Sequence, residues 1–191
     1  MKKLGLIVLL LFMSLQNSPA MENRESDINN NGAPRVTFRD ATESDLPALN
    51  TLMRTSKEAA GGANYTQEYL DEFMKLLSVT PEVLAVSKVK KLFVNEELAG
   101  FYSFYINDKD QLELDNFFLT PNFLYKGYGK VMWTQCLETA KEYKDRSYFI
   151  LWSSLEAVSF YSKRGCKKIG EKPSPADKTR VQPMFQYNLS L

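Results

Sequence analysis

Apolar residues recur with period two in some stretches of this chain and at helical spacing in others, and each change of period marks an element. Arg35-Val-Thr-Phe-Arg39 alternates as a strand. Thr42, Ser44 and Pro47 then supply capping residues and an early proline for a helix running toward Lys57, which Gly61-Gly62 breaks. From Thr66 to Leu77 the residues Tyr69, Leu70, Phe73, Leu76 and Leu77 share one face, which predicts a second, amphipathic helix. Lys91–Val94 and Ala99–Ile106 read as a hairpin around Asn95-Glu-Glu97, and Leu112–Leu119 as a third strand of that group. A helix from Gly129 to about Tyr143, the strand Tyr148–Ser153, a short helix Glu156–Arg164 and closing strands complete the series. The expected architecture is therefore α/β: a mixed, mostly antiparallel central sheet with helices on both faces.

The stretch between the third strand and its helix carries the most chemistry. Residues 111–130 end in Lys126-Gly127-Tyr128-Gly129-Lys130. Two glycines two apart let the backbone turn sharply and expose successive N–H groups, and the helix that opens there adds the positive end of its dipole. An anionic phosphate is favoured at such a loop, and Lys126 and Lys130 add charge to it. A Walker loop would need Gly-Lys-Ser/Thr at its end, and a dinucleotide fingerprint a third glycine; neither is present.

Composition narrows the rest. The 191 residues, 44% apolar and 13% aromatic, suit one core rather than two. Charge is nearly balanced, 24 basic against 23 acidic side chains, which gives no sign of a nucleic-acid partner. The chain has no histidine, so Ser-His-Asp and Cys-His catalysis and His-ligated metal sites are excluded. Cys136 falls in a helical stripe with Met132, Trp133, Leu137 and Ala140 and reads as core; with Cys166 as the only other cysteine, neither a disulfide framework nor a metal site is expected.

Residues 1–20 have the layout of a signal peptide: Lys2-Lys3, an apolar run from Leu4 to Met13, and Ser18-Pro-Ala20. The run is shorter than the roughly 20 residues that span a bilayer, so no stable membrane span is expected. The other reading starts translation at Met21, with residues 21–34 as a flexible polar lead-in and 35–191 as the domain.

The loop and its neighbours resemble motif A of the GNAT acetyltransferase superfamily, Arg/Gln-x-x-Gly-x-Gly/Ala after an acidic strand that ends in a bulge. Gly127 and Gly129 match, and Leu124 stands where Arg or Gln is usual. Downstream, Ala157, Phe160, Tyr161 and Gly165 fall in register with the family's Asn-x-x-Ala-x-x-Phe-Tyr-x-x-x-Gly, while Ser154 and Glu156 replace the Asn residues often found ahead of the Ala. Gly170 to Ser174 and Arg180-Val-Gln-Pro183 are similar to the ending of a bacterial subgroup. Resemblance covers residues 35–191.

The resemblance implies an N-acetyltransferase that uses acetyl-CoA as co-substrate and a primary amine, small molecule or protein, as acceptor, with no metal. It implies that pantetheine lies in the gap between two splayed strands, along the backbone of Phe117, Phe118 and Leu119. Leu124, Lys126, Gly127, Tyr128, Gly129 and Lys130 would then surround the pyrophosphate, and Ser154 would lie beside the arm. Glu113, sixteen residues before Gly129 as in histone-type members, is the expected base, with Asp115 as substitute; the plain alternative for both is a solvated strand face. Tyr161 is the expected acid, a phenol of ordinary pKa near 10 facing a thiolate of similar basicity. Gly61 to Tyr65 is a candidate lid on the acceptor side, and Tyr102, Tyr105, Phe123 and Tyr125 are candidate walls. The competing function is a non-catalytic acyl-CoA-binding or protein-interaction module on the same fold, and a homodimer is compatible with either. The chemistry favours the cytoplasm, where acetyl-CoA is made; a true leader would direct the chain outside it.

Overall fold

A computed structural model describes residues 33–189. The expected leader and most of the lead-in lie outside the described residues. Seven strands form one sheet in the order β1-β2-β3-β4-β5-β7-β6: β1 Val36–Asp40, β2 Lys88–Val94, β3 Glu97–Ile106, β4 Leu112–Leu119, β5 Tyr148–Trp152, β6 Lys167–Pro173 and β7 Val181–Asn188. Every neighbouring pair is antiparallel except β4 and β5. That one parallel contact requires a crossover, which the helix α4 (Tyr128–Lys141) provides. The mixed sheet expected from the periodicity is the one observed.

Helices cover both faces, over separate cores. On one side α1 (Leu46–Gly61) and α2 (Gln67–Leu77) bury Leu49, Leu52, Met53, Leu70 and Phe73 against Val89 and Phe101. On the other, α4 and α5 (Val158–Lys163) bury Met132, Trp133, Cys136 and Tyr161 against Tyr102, Phe104, Phe149 and Phe185. β3 is apolar at nearly every position because it feeds both cores. Both cysteines are buried and free. A short helix that the periodicity did not reveal, α3 (Pro81–Val86), follows α2; Thr80 caps it by accepting from the Val83 N–H at 3.3 Å, and Pro81 opens it. The hairpin strands also run further than expected, meeting at a tight turn where Asn95 and Glu96 both adopt positive φ, 49° and 65°.

Two irregularities shape the site. Ser103 pairs with Asn116 and Phe104 with Leu114, so Asp115 is the extra residue of a β-bulge in β4. Asn116 locks the bulge, donating to Ser103 Oγ through its backbone N–H at 3.2 Å and through Nδ2 at 2.8 Å. The bulge reverses the alternation: Leu112 and Leu114 point into the α4 core, and beyond it Phe117 and Leu119 do, while Phe118 joins the α1–α2 core. The second irregularity is the brevity of the parallel contact. Glu113 pairs with Ile150 and Leu114 with Leu151, and pairing stops there. β5 stays with β7, the Ser153 N–H donating to the Pro183 carbonyl at 2.9 Å, so a gap opens between β5 and the rest of β4.

Candidate active site

The gap continues into a cleft of about 360 Å³. Phe117, Phe118 and Leu119 form its β4 wall, and Ser154 borders it on the β5 side. At one end lie Leu124, Gly127, Gly129 and Lys130, at the entrance to α4. Gly127 caps that helix with φ 91°, a conformation that L side chains rarely adopt, and a Cβ built on it would meet nothing within 4 Å; glycine is required there by the backbone angle alone. The first-turn N–H groups of a helix have no partner within it. Gly129 is favoured by closeness instead, because a Cβ would come within 3.2 Å of the Phe160 ring, which would have to shift. Tyr125 also holds positive φ, 59°, and stands 94% exposed at the mouth.

Eight of the ten residues expected along the coenzyme thus border one cleft. Two do not: Lys126 is exposed outside it, and Tyr128 turns away to pack edge-on against Phe123 at 5.2 Å. In a helix that starts at Tyr128, side chains leave the axis outward even where backbone groups face inward.

The acid–base candidates divide. Tyr161 lines the cleft, its ring packed against Phe117, Trp133 and Phe160. Burial pushes its phenol well above the ordinary value, and the thiols of Cys136 and Cys166 push in the same direction. The expectation of an unperturbed phenol is therefore corrected: Tyr161 keeps its proton at any physiological pH and suits donating a hydrogen bond better than becoming a phenolate.

Glu113 is not on the cleft wall. It is 7% exposed, one residue before β4 stops pairing with β5, and accepts from Asn107 Nδ2 at 2.9 Å. Asp115, being the bulged residue, escapes the period-two rule that put it on Glu113's face. Its side chain keeps an accessible edge, yet the surrounding protein raises its carboxyl to about 6, with the Glu113 charge adding to the shift. Tyr105 completes this cluster, its phenol raised by burial and by both carboxylates. Of the other candidate walls, Tyr102 is buried and shares a 2.7 Å hydrogen bond with Thr139.

The opposite wall was not legible. Ser56, Lys57 and Ala60 of α1 face the β4 residues across the cleft, with Glu156 and Gln182 nearby. Lys57 Nζ donates to Tyr65 Oη at 3.0 Å, and Tyr65 Oη donates to Glu156 Oε2 at 2.7 Å. Arg180 lies over the Tyr65 ring at 4.8 Å and donates to the Asn64 carbonyl. The candidate lid is thus clasped from two sides. A signal did exist for Lys57: Leu49, Leu52, Met53 and Ser56 mark the buried stripe of α1, and Lys57 falls on it, a charge where the pattern calls for an apolar side chain.

Residues 57–186 match the profile of the acetyltransferase (GNAT) domain. The chain belongs to the GNAT acetyltransferase family. Membership makes this acetyltransferase an enzyme whose co-substrate is acetyl-CoA, as the motifs implied. A search of curated proteins found no match. Among solved structures, the PaiA N-acetyltransferase of Thermoplasma acidophilum, in complex with coenzyme A, aligns with TM-score 0.63 at 20% identity over 80% of this chain and 99% of its own. A GCN5-related N-acetyltransferase from Rhodopseudomonas palustris aligns with TM-score 0.65 at 14% identity over 83% and 97%. The ribosomal-protein-S18-alanine N-acetyltransferase of Escherichia coli aligns with TM-score 0.59 at 14% identity over 82% and 95%. At these identities the likeness is one of fold. Among the described residues no helix is long and apolar enough to cross a membrane, and no group of His, Cys, Asp and Glu is arranged to hold a metal.

Proposed function

We propose that residues 35–191 transfer the acetyl group of acetyl-CoA directly to a primary amine, with coenzyme pyrophosphate on the Gly127–Lys130 turn and pantetheine along Phe117 to Leu119. The observation that carries this reading is the cleft itself: it opens where β4 and β5 stop pairing and ends at a glycine-capped helix. Unpaired β4 backbone can accept an amide-bearing arm as an added strand would, and the helix start favours its phosphates.

Amide formation needs a neutral amine, a polarised thioester carbonyl and a proton for the departing thiolate. Glu113, set back from the wall, takes the ammonium proton through a water; Asp115, raised to about 6, is the alternative receiver. The amine nitrogen bonds to the acetyl carbon and gives up a proton to solvent, the carbon–sulfur bond breaks, and the leaving thiolate, steadied by a hydrogen bond from Tyr161, takes up a proton from solvent. The test is an amine-panel assay with acetyl-CoA and a thiol-reporting dye, expected to show turnover that depends on enzyme and acceptor.

A second reading, an acyl-CoA-binding module without transfer, is favoured by the retreat of Glu113 from the wall and by Leu124 and Ser154 where the family uses polar side chains. Coenzyme binding with no turnover across the panel would establish it. Dependence on acetyl-CoA favours action in the cytoplasm; a full-length chain shortened by about twenty residues and fractionating outside the cytoplasm would contradict that reading.

A further inference from the structure

We propose that Lys57 is a self-acetylation site: its side-chain nitrogen takes the acetyl group of acetyl-CoA bound in the same cleft when no acceptor is present. The inference rests on the coenzyme placement proposed above and assigns a modification site beyond it.

Lys57 is 7% exposed, and what it exposes faces the cleft, across from the β4 wall formed by Phe117 to Leu119. Its surroundings are poor for an ammonium ion in one respect and adequate in another. Nζ lies 4.5, 5.8 and 5.4 Å from the ring centres of Tyr65, Tyr69 and Phe73, and its hydrogen-bond partner among the described residues is the Tyr65 hydroxyl, not a carboxylate. The rings return part of the lost hydration to the cation. Desolvation still lowers the group to about 8; the Glu156 charge works against the shift and Arg180 with it. About a tenth of Lys57 is then a free amine at pH 7, whereas an exposed lysine near 10.4 has almost none.

Tyr65 adds a route for the proton. It accepts from Lys57 and donates to Glu156, so a proton leaving Nζ can pass along the two bonds to the Glu156 carboxylate and on to solvent. The neutral nitrogen attacks the thioester carbonyl, the carbon–nitrogen bond forms, and the carbon–sulfur bond breaks. The coenzyme leaves as thiolate and takes up one proton from solvent. No other reactant is needed. The product is an uncharged amide on the α1 wall, which removes the cation from the Tyr65 and Phe73 rings and narrows the cleft where an acceptor would enter.

The experiment incubates the full chain with acetyl-CoA and no amine, and follows intact mass and the peptide containing Lys57. One acetyl group on Lys57 is expected, forming on the order of a hundredfold faster than on exposed lysines because of the larger neutral fraction. Excess coenzyme A should suppress it, and Gly127→Val, which leaves Lys57 in place, should abolish it together with coenzyme binding. Lys57→Arg should leave no acetyl at that peptide; if that variant fails to fold, coenzyme A protection and Gly127→Val still decide. Acetyl-CoA binding by calorimetry with Lys57 unmodified overturns the inference while leaving the coenzyme site intact. Labelling confined to surface lysines and indifferent to coenzyme A overturns it as well. No binding at all removes the coenzyme placement on which it rests.

Discussion

The two walls of the cleft are built in opposite ways. The β4 wall and the turn beyond it come from one continuous segment, residues 117–130, and its decisive features are backbone ones: a bulge at Asp115 just before it, a strand edge open on the β5 side to Leu119, and a helix opened by a glycine at φ 91°. The facing wall joins side chains from four separated segments, Lys57 on α1, Tyr65 beyond it, Glu156 after β5 and Arg180 before β7, tied by single hydrogen bonds and ring contacts. A backbone site tolerates change in side chains, and a side-chain site does not. On the proposed coenzyme placement, the first wall would hold the acetyl-CoA that the whole family uses, and the second would be free to vary with the acceptor.

Breaking the backbone wall should have the largest effect. Gly127→Val forces a β-branched residue into positive φ at the helix cap, and acetyl-CoA affinity should fall by more than about 10²-fold with circular dichroism unchanged. Removing the proposed base comes next: Glu113→Gln should lower kcat/KM by roughly 10²-fold, with the loss shrinking at high pH where the amine is already neutral. Tyr161→Phe should lower kcat by about tenfold and leave acetyl-CoA affinity nearly intact, because the phenol matters only as sulfur departs. The facing wall should answer differently. Gly61→Ala places a Cβ within 1.7 Å of the Tyr65 ring, so the clasp must shift; stability should drop by about 1–3 kcal/mol and acceptor KM should rise, while coenzyme affinity holds.

The smallest effect is a pH signature. The folded-state pKa of Lys57 is lowered from 10.5 to about 8, so between those values the unfolded chain holds a proton that the folded chain has lost. Burial of this amine therefore costs stability below about pH 8, and the cost is relieved as pH rises toward 10.5. Denaturant midpoints should climb across that window, and Lys57→Met should flatten the climb.

The same contrast explains how far the sequence could be read. β4, the Gly127-x-Gly129 turn and α4 are contiguous, and period and glycine spacing make them visible together. The bulge was expected only through the family resemblance, and its effect on Asp115 and on the alternation needed the register with β3. Tyr161 was found, but its raised phenol reflects packing against Trp133 and Phe117, far from it in sequence. Lys126 and Tyr128 were assigned to the coenzyme because they neighbour the glycines, but Lys126, ahead of the helix cap, is exposed outside the cleft, and Tyr128, in the first turn of α4, packs on Phe123. The Lys57–Tyr65–Glu156 chain spans 99 residues between its ends, and no local pattern could join them, although the charge on the buried stripe of α1 marked one end.

The central claim is that acetyl-CoA lies between β4 and β5 with its phosphates on the turn before α4. Amide hydrogen exchange of the full chain with and without acetyl-CoA tests it most directly. The account predicts new protection at residues 117–119, where the β4 edge toward β5 has no partner strand, and at 127–129, where the N–H groups at the head of α4 would donate to phosphate, with β1 and β2 unchanged. Saturating acetyl-CoA that leaves both segments exchanging at their original rates, or protects a different face of the sheet, would contradict it.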